Sequence, residues 1–371
     1  MSDRKLPGLL FIVQLPPPLH GASLMNSHIL KSNLLKNNFS IEIVNLHFAE
    51  SIQELGKFTF EKLYRTFLYA FEIVKKVIKH KPDLVYFNLT PKGFAFYRDA
   101  FYVLLLKILG KKIVFHLQSK GIKENTSTSI IKKSLYKWVF RNTSIICLSP
   151  RLTEDFDDIY KPTPFFVPNG IEVQENNDGI ESKPDNSVPM IMYLSHYLIS
   201  KGVLVLIDAL AILRERGCLF NARLIGPPAD LTIKDLETAV AGKNLTDQVK
   251  VVGPKYGDDK FLEFRNSDIF VFPTYYEVFG LVILEAMQYG LPVVSTLEGA
   301  IPDIVVDNET GFLVGVKNPV MLADKLEILL NDKELRLRMG KEGYTRFINN
   351  YTLDKFESNI LETINTILKK G

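Results

Sequence analysis

At 371 residues the chain is too long for one ordinary core and predicts two or three domains. Its 46% hydrophobic and 23% charged residues read as soluble and globular, and Cys147 and Cys218, far apart with no CxxC or histidine cluster, suggest neither a disulfide framework nor a zinc site and fit a reducing, cytoplasmic setting. The net charge of +3 conceals an asymmetry: residues 1–161 hold 24 Lys+Arg against 13 Asp+Glu, and the remainder 21 against 29. The basic half either attracts an anionic partner, such as a phospholipid surface, a lipid phosphate or nucleic acid, or is an ordinary solvated surface.

The first apolar run, Leu9 to Val13, is strand-length and leads into Gln14 and three prolines, so it does not read as a signal-peptide pattern; no run reaches transmembrane length. Strand-like segments follow at 41–46, 84–89, 112–117 and 144–149, with helical patterns at 22–36, 60–80, 98–109 and 129–141 between them. The polar stretch 172–188 marks a domain boundary. A second series has strands at 190–195, 222–226, 249–253, 269–273, 292–296 and 311–315, and helices at 202–216, 232–241, 258–266 and 280–289. This alternation predicts an α/β protein of two Rossmann-like, doubly wound parallel-sheet domains, with ligands held outside the carboxyl ends of the strands in a central cleft.

The segment YYEVFGLVILEAM sets Glu277 directly after a strand and loop and Glu285 inside the helix that begins near Phe279 or Gly280. A helix N-terminus between two carboxylates is an anion site flanked by hydrogen-bond acceptors, and Gly280 permits close approach to the backbone. A nucleotide sugar has that layout, with hydroxyls on both sides of a diphosphate. The plainer alternative is an amphipathic helix with two solvated glutamates, but Glu285 stands among Val282, Ile283, Leu284, Ala286 and Met287, where a carboxylate needs a partner.

These residues, followed by Gly290-Leu291-Pro292-Val293-Val294, Gly299, Pro302 and Asn308-Glu309-Thr310-Gly311, resemble the retaining glycosyltransferases of the GT-B fold, family 4 (glycosyl transferases group 1), whose signature is two glutamates separated by seven residues. The resemblance spans nearly the whole chain. It implies that Glu277 contacts the donor sugar, that Glu285 grips the ribose, and that the backbone of Val278, Phe279, Gly280 and Leu281 meets sugar and β-phosphate. Lys201-Gly202 matches the family's diphosphate-binding Lys-Gly, while Ser195-His196 stands in place of Gly-Arg and offers His196 to the donor. A fixed ammonium at Lys201 would stabilise the departing diphosphate.

Near the N-terminus, His20-Gly21 takes the place of the family's Gly-Gly loop, so Gly21 is a donor-site candidate and His20 an acceptor-site one; a plain proline-rich turn is the alternative. His116 ends a strand and is expected to face the cleft near the reaction centre, as a family histidine does. Asn88, Thr90, Arg98 and Lys120 are candidates for the acceptor wall, and Lys255-Tyr256 resembles the segment that holds the nucleobase. Asp155-Phe156-Asp157 has a metal-diphosphate spacing, but after Ser149-Pro150 it reads as the capped first turns of a surface helix. There is no GxGxxG, Walker, GxSxG or HExxH motif.

The resemblance divides the chain into an N-terminal acceptor-binding domain (1–170), a linker (171–188), a C-terminal nucleotide-sugar-binding domain (189–350) and a C-terminal helix (351–371) packing back on the first domain. The implied activity is metal-independent, retaining hexosyl transfer from a nucleotide sugar, UDP-sugar favoured, to a lipid-linked or growing surface glycan such as capsule or lipopolysaccharide. The catalytic residues are then His116, Lys201 and Glu277, with the nucleotide sugar as co-substrate and no cofactor, metal or nucleic acid. The alternative is a non-catalytic nucleotide-sugar-binding protein. Basic faces around Lys75, Lys76 and Lys79, and around Lys123, Lys132, Lys133, Lys137 and Arg141, suggest a peripheral contact with an anionic membrane, at its inner face; ordinary packing helices are the alternative.

Overall fold

The computed structural model describes residues 6–48, 59–174 and 186–370. The chain divides into two compact units, Met1–Asn169 with Leu353–Gly371, and Gly170–Thr352. Within the stretch read as a linker, 175–185 lie outside the described residues.

The first unit runs β1 (Gly8–Val13), α1 (Gly21–Lys31), α2 (Asn33–Asn38), β2 (Ser40–Asn45), α3 (Phe60–His80), β3 (Leu84–Phe87), α4 (Gly93–Ile108), β4 (Ile113–Leu117), α5 (Ile122–Ser127), α6 (Ile130–Phe140), β5 (Ser144–Cys147) and β6 (Phe165–Phe166). Its strands are parallel, in the order β2-β1-β3-β4-β5-β6. Leu9 to Val13, Leu84 to Phe87 and Ile113 to Leu117 are buried throughout. A parallel sheet covered on both faces requires such largely apolar runs, and His116 is the polar residue among them.

The second unit runs β7 (Met190–Leu194), α7 (Val203–Glu215), β8 (Asn221–Ile225), α8 (Ile233–Gly242), β9 (Val249–Gly253), α9 (Gly257–Arg265), β10 (Ile269–Phe272), α10 (Leu281–Gln288), β11 (Val293–Thr296), α11 (Ile301–Ile304), β12 (Gly311–Val314), α12 (Pro319–Asn331) and α13 (Lys333–Asn350). Its parallel order is β12-β11-β10-β7-β8-β9. The winding direction reverses between β7 and β10 here, and between β1 and β3 in the first unit. In doubly wound sheets ligands bind outside the carboxyl ends of the strands at such reversals.

The last helix, α14 (Leu353–Lys369), belongs to the first unit. It buries Phe356, Ile360, Ile364 and Ile367, and Ser32 Oγ donates to Glu357 Oε2 at 2.5 Å. Lys112 Nζ donates to the Ile367 carbonyl at 2.6 Å.

Several expectations change. The helix expected over 22–36 breaks at Ser32, whose hydroxyl accepts from Leu35 N at 3.3 Å while its amide still bonds to the His28 carbonyl. Serine is a strong helix N-cap, so one pattern became two helices. The helix expected from 98 starts at Gly93, whose φ of +69° suits glycine. The surface helix expected around Asp155 is only a 3₁₀ segment, Pro150–Asp155. Asp155 instead accepts from the amides of Gly121 (2.9 Å), Ile122 (3.0 Å) and Lys123 (3.1 Å), capping the start of α5. A carboxylate so used has little left to offer a metal, and the described residues contain no group of three or more His, Cys, Asp or Glu side chains able to hold one.

Candidate functional site

The reversal in the second unit brings together the loops that leave β7 and β10. Lys201 ends a short 3₁₀ turn after β7, and its Nζ lies 2.8 Å from Glu277 Oε2 in the loop after β10. The same ammonium donates to the Tyr276 carbonyl at 3.1 Å. Glu277 Oε1 accepts from Val278 N at 2.9 Å, so both carboxylate oxygens are fixed. Their side chains are 19% and 18% exposed, about four-fifths shielded from solvent.

Two glycines make this approach possible. A Cβ on Gly202, at φ +78°, would stand 2.0 Å from the Pro273 carbonyl oxygen; one on Gly299, at φ +56°, would stand 2.5 Å from the Glu277 carbonyl oxygen. Ala300 N then donates to the Val278 carbonyl at 2.9 Å and pins the loop. Larger residues would push the Lys201 and Glu277 backbones away from their neighbours.

Helices α7 and α10 both start here after left-handed glycines, Gly202 and Gly280, and neither start carries a side-chain cap. Uncapped N-termini offer amide donors and the positive end of the helix dipole to an anion. Leu281 opens α10; Phe279, before it, is buried with its ring edge-on to Tyr351 at 6.4 Å. His196 is held below its usual pKa by burial and then by the Lys201 charge.

Glu285 lies one turn into α10, and the partner that its apolar neighbours required is Lys260 of α9, with Nζ 2.8 Å from Oε1. The sequence reading missed Lys260. Its only local signal is a lone lysine between Asp258-Asp259 and Phe261, which does not reveal a partner 25 residues away. Lys255 pairs with Asp259 at 3.4 Å, and Tyr256, the N-cap position of α9, leaves its ring exposed.

In the first unit, His20 caps α1: its Nδ1 accepts from Ser23 N at 3.3 Å while its own amide donates to Ser23 Oγ at 3.0 Å. Gly21 is the first helical residue. Asn88 Nδ2 donates to the His116 carbonyl at 2.9 Å. Thr90 N and Arg98 both bond to the buried Asp99, and the Arg98 guanidinium stacks 4.2 Å over Phe48. Arg98 is thereby engaged within its own unit rather than presented as a bare cation. Lys120 sits half-buried between β4 and α5.

His116, near the carboxyl end of β4, is fully buried, with Nδ1 bonded to the Tyr86 hydroxyl. Burial lowers its pKa to about 3. The sign of the linkage follows. Unfolded imidazole, near its ordinary 6.5, binds a proton that the folded site refuses, so stability present above pH 6.5 is lost as pH falls toward 3. Between pH 6.5 and 5 this one group is expected to cost about 2 kcal/mol. Urea unfolding of the wild type and His116→Gln at both pH values checks it; equal losses in the two proteins would refute the assignment.

Residues 174–346 match the family model "Glycosyl transferases group 1". The chain is 33% identical over 217 residues to a capsular polysaccharide biosynthesis glycosyltransferase, CapM, of Staphylococcus aureus, covering 55% of this chain and 54% of that protein. It is 36% identical over 149 residues to a D-inositol 3-phosphate glycosyltransferase of Corynebacterium efficiens, covering 38% of this chain and 35% of that one. The matched part thus spans about half, or less, of these relatives' length. Among solved structures, a Rickettsia africae glycosyltransferase superposes with a TM-score of 0.78 at 19% identity, covering 99% of this chain and 100% of that one. Anabaena Alr3699/HepE in complex with UDP superposes at 0.73 with 19% identity, covering 97% and 100%. The fold is therefore GT-B, and residues 174–346, a little under half of the chain, are similar to the glycosyl transferases group 1 family.

Proposed function

We propose that the protein is a retaining, metal-independent glycosyltransferase that moves a hexosyl group from a nucleotide diphosphate sugar, UDP-sugar favoured, to a hydroxyl of a lipid-linked or growing surface glycan. The observation that carries this reading is the Lys201–Glu277 pair at 2.8 Å, set at the reversal of the second sheet beside two uncapped helix starts. The UDP complex of Alr3699/HepE, of like fold, supports the choice of nucleotide.

In this reading the diphosphate lies against the amides that open α7 and α10, with Lys201 over its leaving oxygen. Glu277 receives sugar hydroxyls and Glu285 the ribose. The bond from the anomeric carbon to the phosphate oxygen breaks as the bond to the acceptor oxygen forms on the same face. The acceptor's proton passes to the departing phosphate oxygen, so no carboxylate nucleophile is needed and catalysis rests on positioning and charge stabilisation. His20, Asn88, Thr90 and Lys120 are the acceptor-side candidates.

A panel of UDP-, GDP- and ADP-sugars with mass spectrometry of the products, in the presence of EDTA, tests the proposal. Transfer or slow hydrolysis of a UDP-sugar with retained configuration supports it. Binding of UDP without turnover of any donor would favour the non-catalytic nucleotide-sugar-binding reading.

The acceptor side bears on the membrane. Along α3, Ile73, Val77 and Ala70 cover the sheet while Phe60, Tyr64, Phe67 and Phe71 stand exposed in one stripe, continued by Lys75 and Ile78. On α6, Tyr136, Val139 and Phe140 pack inward while Ile130 and Ile131 are exposed near Lys137. Not every basic residue of these helices is available: Lys76 is held by the Ile43 carbonyl and Glu72, and Lys133 by Asp158 at 3.1 Å. Among the described residues no helix is long and apolar enough to cross a membrane. Aromatic rings beside lysines suit shallow interfacial contact with an anionic leaflet at the cytoplasmic face. Vesicles rich in anionic lipid are expected to sediment the protein at low salt, at about 1 kcal/mol per engaged lysine, and to release it at high salt. Phe67→Ser/Phe71→Ser should weaken binding by at least tenfold, and indifference to anionic vesicles would sink the membrane contact.

A further inference from the structure

Along α9 the sequence sets Asp258, Phe261 and Arg265 at spacings of three and four, so their side chains share one face of the helix. That face, with Glu172, Gln174 and Tyr289, lines a cavity of about 570 Å³. All of these residues belong to the second unit, and Lys201, Glu277, Lys260 and Glu285 are not among the walls. A space of this size suits a small organic molecule rather than an ion or a single water.

The walls are fixed from behind. Gln174 N donates to Gln288 Oε1 at 2.8 Å and ties the chain ahead of β7 to the end of α10. The Tyr289 ring stacks on Phe264 at 5.4 Å and lies 6.2 Å from Phe261. Tyr289 is 2% exposed, and its hydroxyl has no hydrogen-bond partner among the described residues. Burial raises its pKa, so the phenol keeps its proton and can both donate and accept. A buried hydroxyl without a partner is costly, so in a folded protein such a group is paired by a ligand or an ordered water.

The other polar groups select the ligand. Glu172 and Asp258 carry carboxylates, which only accept; the Arg265 guanidinium only donates; the Gln174 amide does both. Two carboxylates against one guanidinium disfavour a phosphate or a nucleotide, and a protonated amine would set donor against donor at Arg265. A hydroxyl serves every one of these groups, because it donates to a carboxylate and accepts from a guanidinium. Half-buried Phe261 adds an apolar surface for the C–H face of a sugar ring.

We propose that this cavity is a second saccharide site, apart from the Lys201–Glu277 pair, that takes an uncharged mono- or disaccharide whose hydroxyls meet Tyr289, Asp258 and Arg265. It goes beyond the transferase reading and does not depend on it. Within that reading, the site would hold a sugar of glycan already made.

Saturation-transfer NMR on the full chain, with UDP present to occupy the donor site, tests this with glucose, N-acetylglucosamine, maltose and lactose, and with glucose 6-phosphate and spermidine as charged controls. At least one neutral saccharide is expected to bind, and neither control to bind as tightly. Tyr289→Phe, which removes one oxygen from a buried ring, should weaken that saccharide about tenfold, the scale of one neutral hydrogen bond. Asp258→Ala, at an exposed position, should weaken it at least tenfold, since a charged acceptor is lost. Binding of none of the four sugars overturns the proposal, as does a saccharide held as tightly by either variant as by the wild type, or a preference for either charged control. Saccharide binding that depends on Tyr289 and Asp258, in a protein that turns over no nucleotide sugar, would count against the transferase reading and leave this site standing.

Discussion

Lys201→Ala is expected to lower the turnover of the preferred nucleotide sugar by about 100-fold or more, the scale for losing one fixed electrostatic stabiliser of a developing charge. The structure sharpens this expectation. Lys201 Nζ is held by Glu277 Oε2 at 2.8 Å and the Tyr276 carbonyl at 3.1 Å, so the ammonium is already positioned before the substrate arrives. Truncation also leaves the Glu277 carboxylate uncompensated, which should hinder approach of a diphosphate. Lys201→Ala/Glu277→Ala is therefore expected to be less damaged than the sum of the single variants, because residues in direct contact do not add. Steady-state kinetics on the three variants, with unfolding curves to exclude global loss of structure, tests this. A Lys201→Ala enzyme within threefold of wild type would remove the lysine from the mechanism.

Glu285→Ala is expected to weaken UDP binding by roughly 10- to 100-fold, the loss associated with one hydrogen bond to a charged group. Glu277→Ala should affect turnover far more than affinity for free UDP. Lys260 makes the distinction testable. It holds Glu285 Oε1 at 2.8 Å, with both side chains about three-quarters buried at 22% and 24% exposure. That leaves Oε2 for a ribose hydroxyl. Lys260→Met should then loosen UDP severalfold by freeing the carboxylate, without matching the loss in Glu285→Ala. Calorimetry with UDP on the four proteins reads the order directly. Unchanged affinity in Glu285→Ala would reduce the Lys260 pair to a structural tie between α9 and α10.

The elements themselves were legible in the sequence because their causes are local. LLFIV, LVYF and IFVF are unbroken apolar runs, as strands covered on both faces must be, and each became a buried parallel strand. The glutamates around the start of α10 and the Lys-Gly before α7 were readable for the same reason: strand, loop, glycine and helix start follow one another within about a dozen residues. Even the need of Glu285 for a partner could be read from its apolar neighbours.

Which residues meet was decided by the tertiary structure. Lys201 and Glu277 stand 76 positions apart and touch because β7 and β10 are neighbours where the sheet reverses its winding. Lys260 finds Glu285, Asp155 leaves a metal-like spacing to cap α5, and Gln118 reaches across 92 positions to Asn26. On α3 periodicity marks the apolar residues, yet only packing shows that Ile73 and Val77 face the sheet while Phe67 and Phe71 do not. Propensity and periodicity act within one or two turns of chain, whereas pairing of charges and burial of a face depend on strand order, which brings together segments that carry no local record of one another.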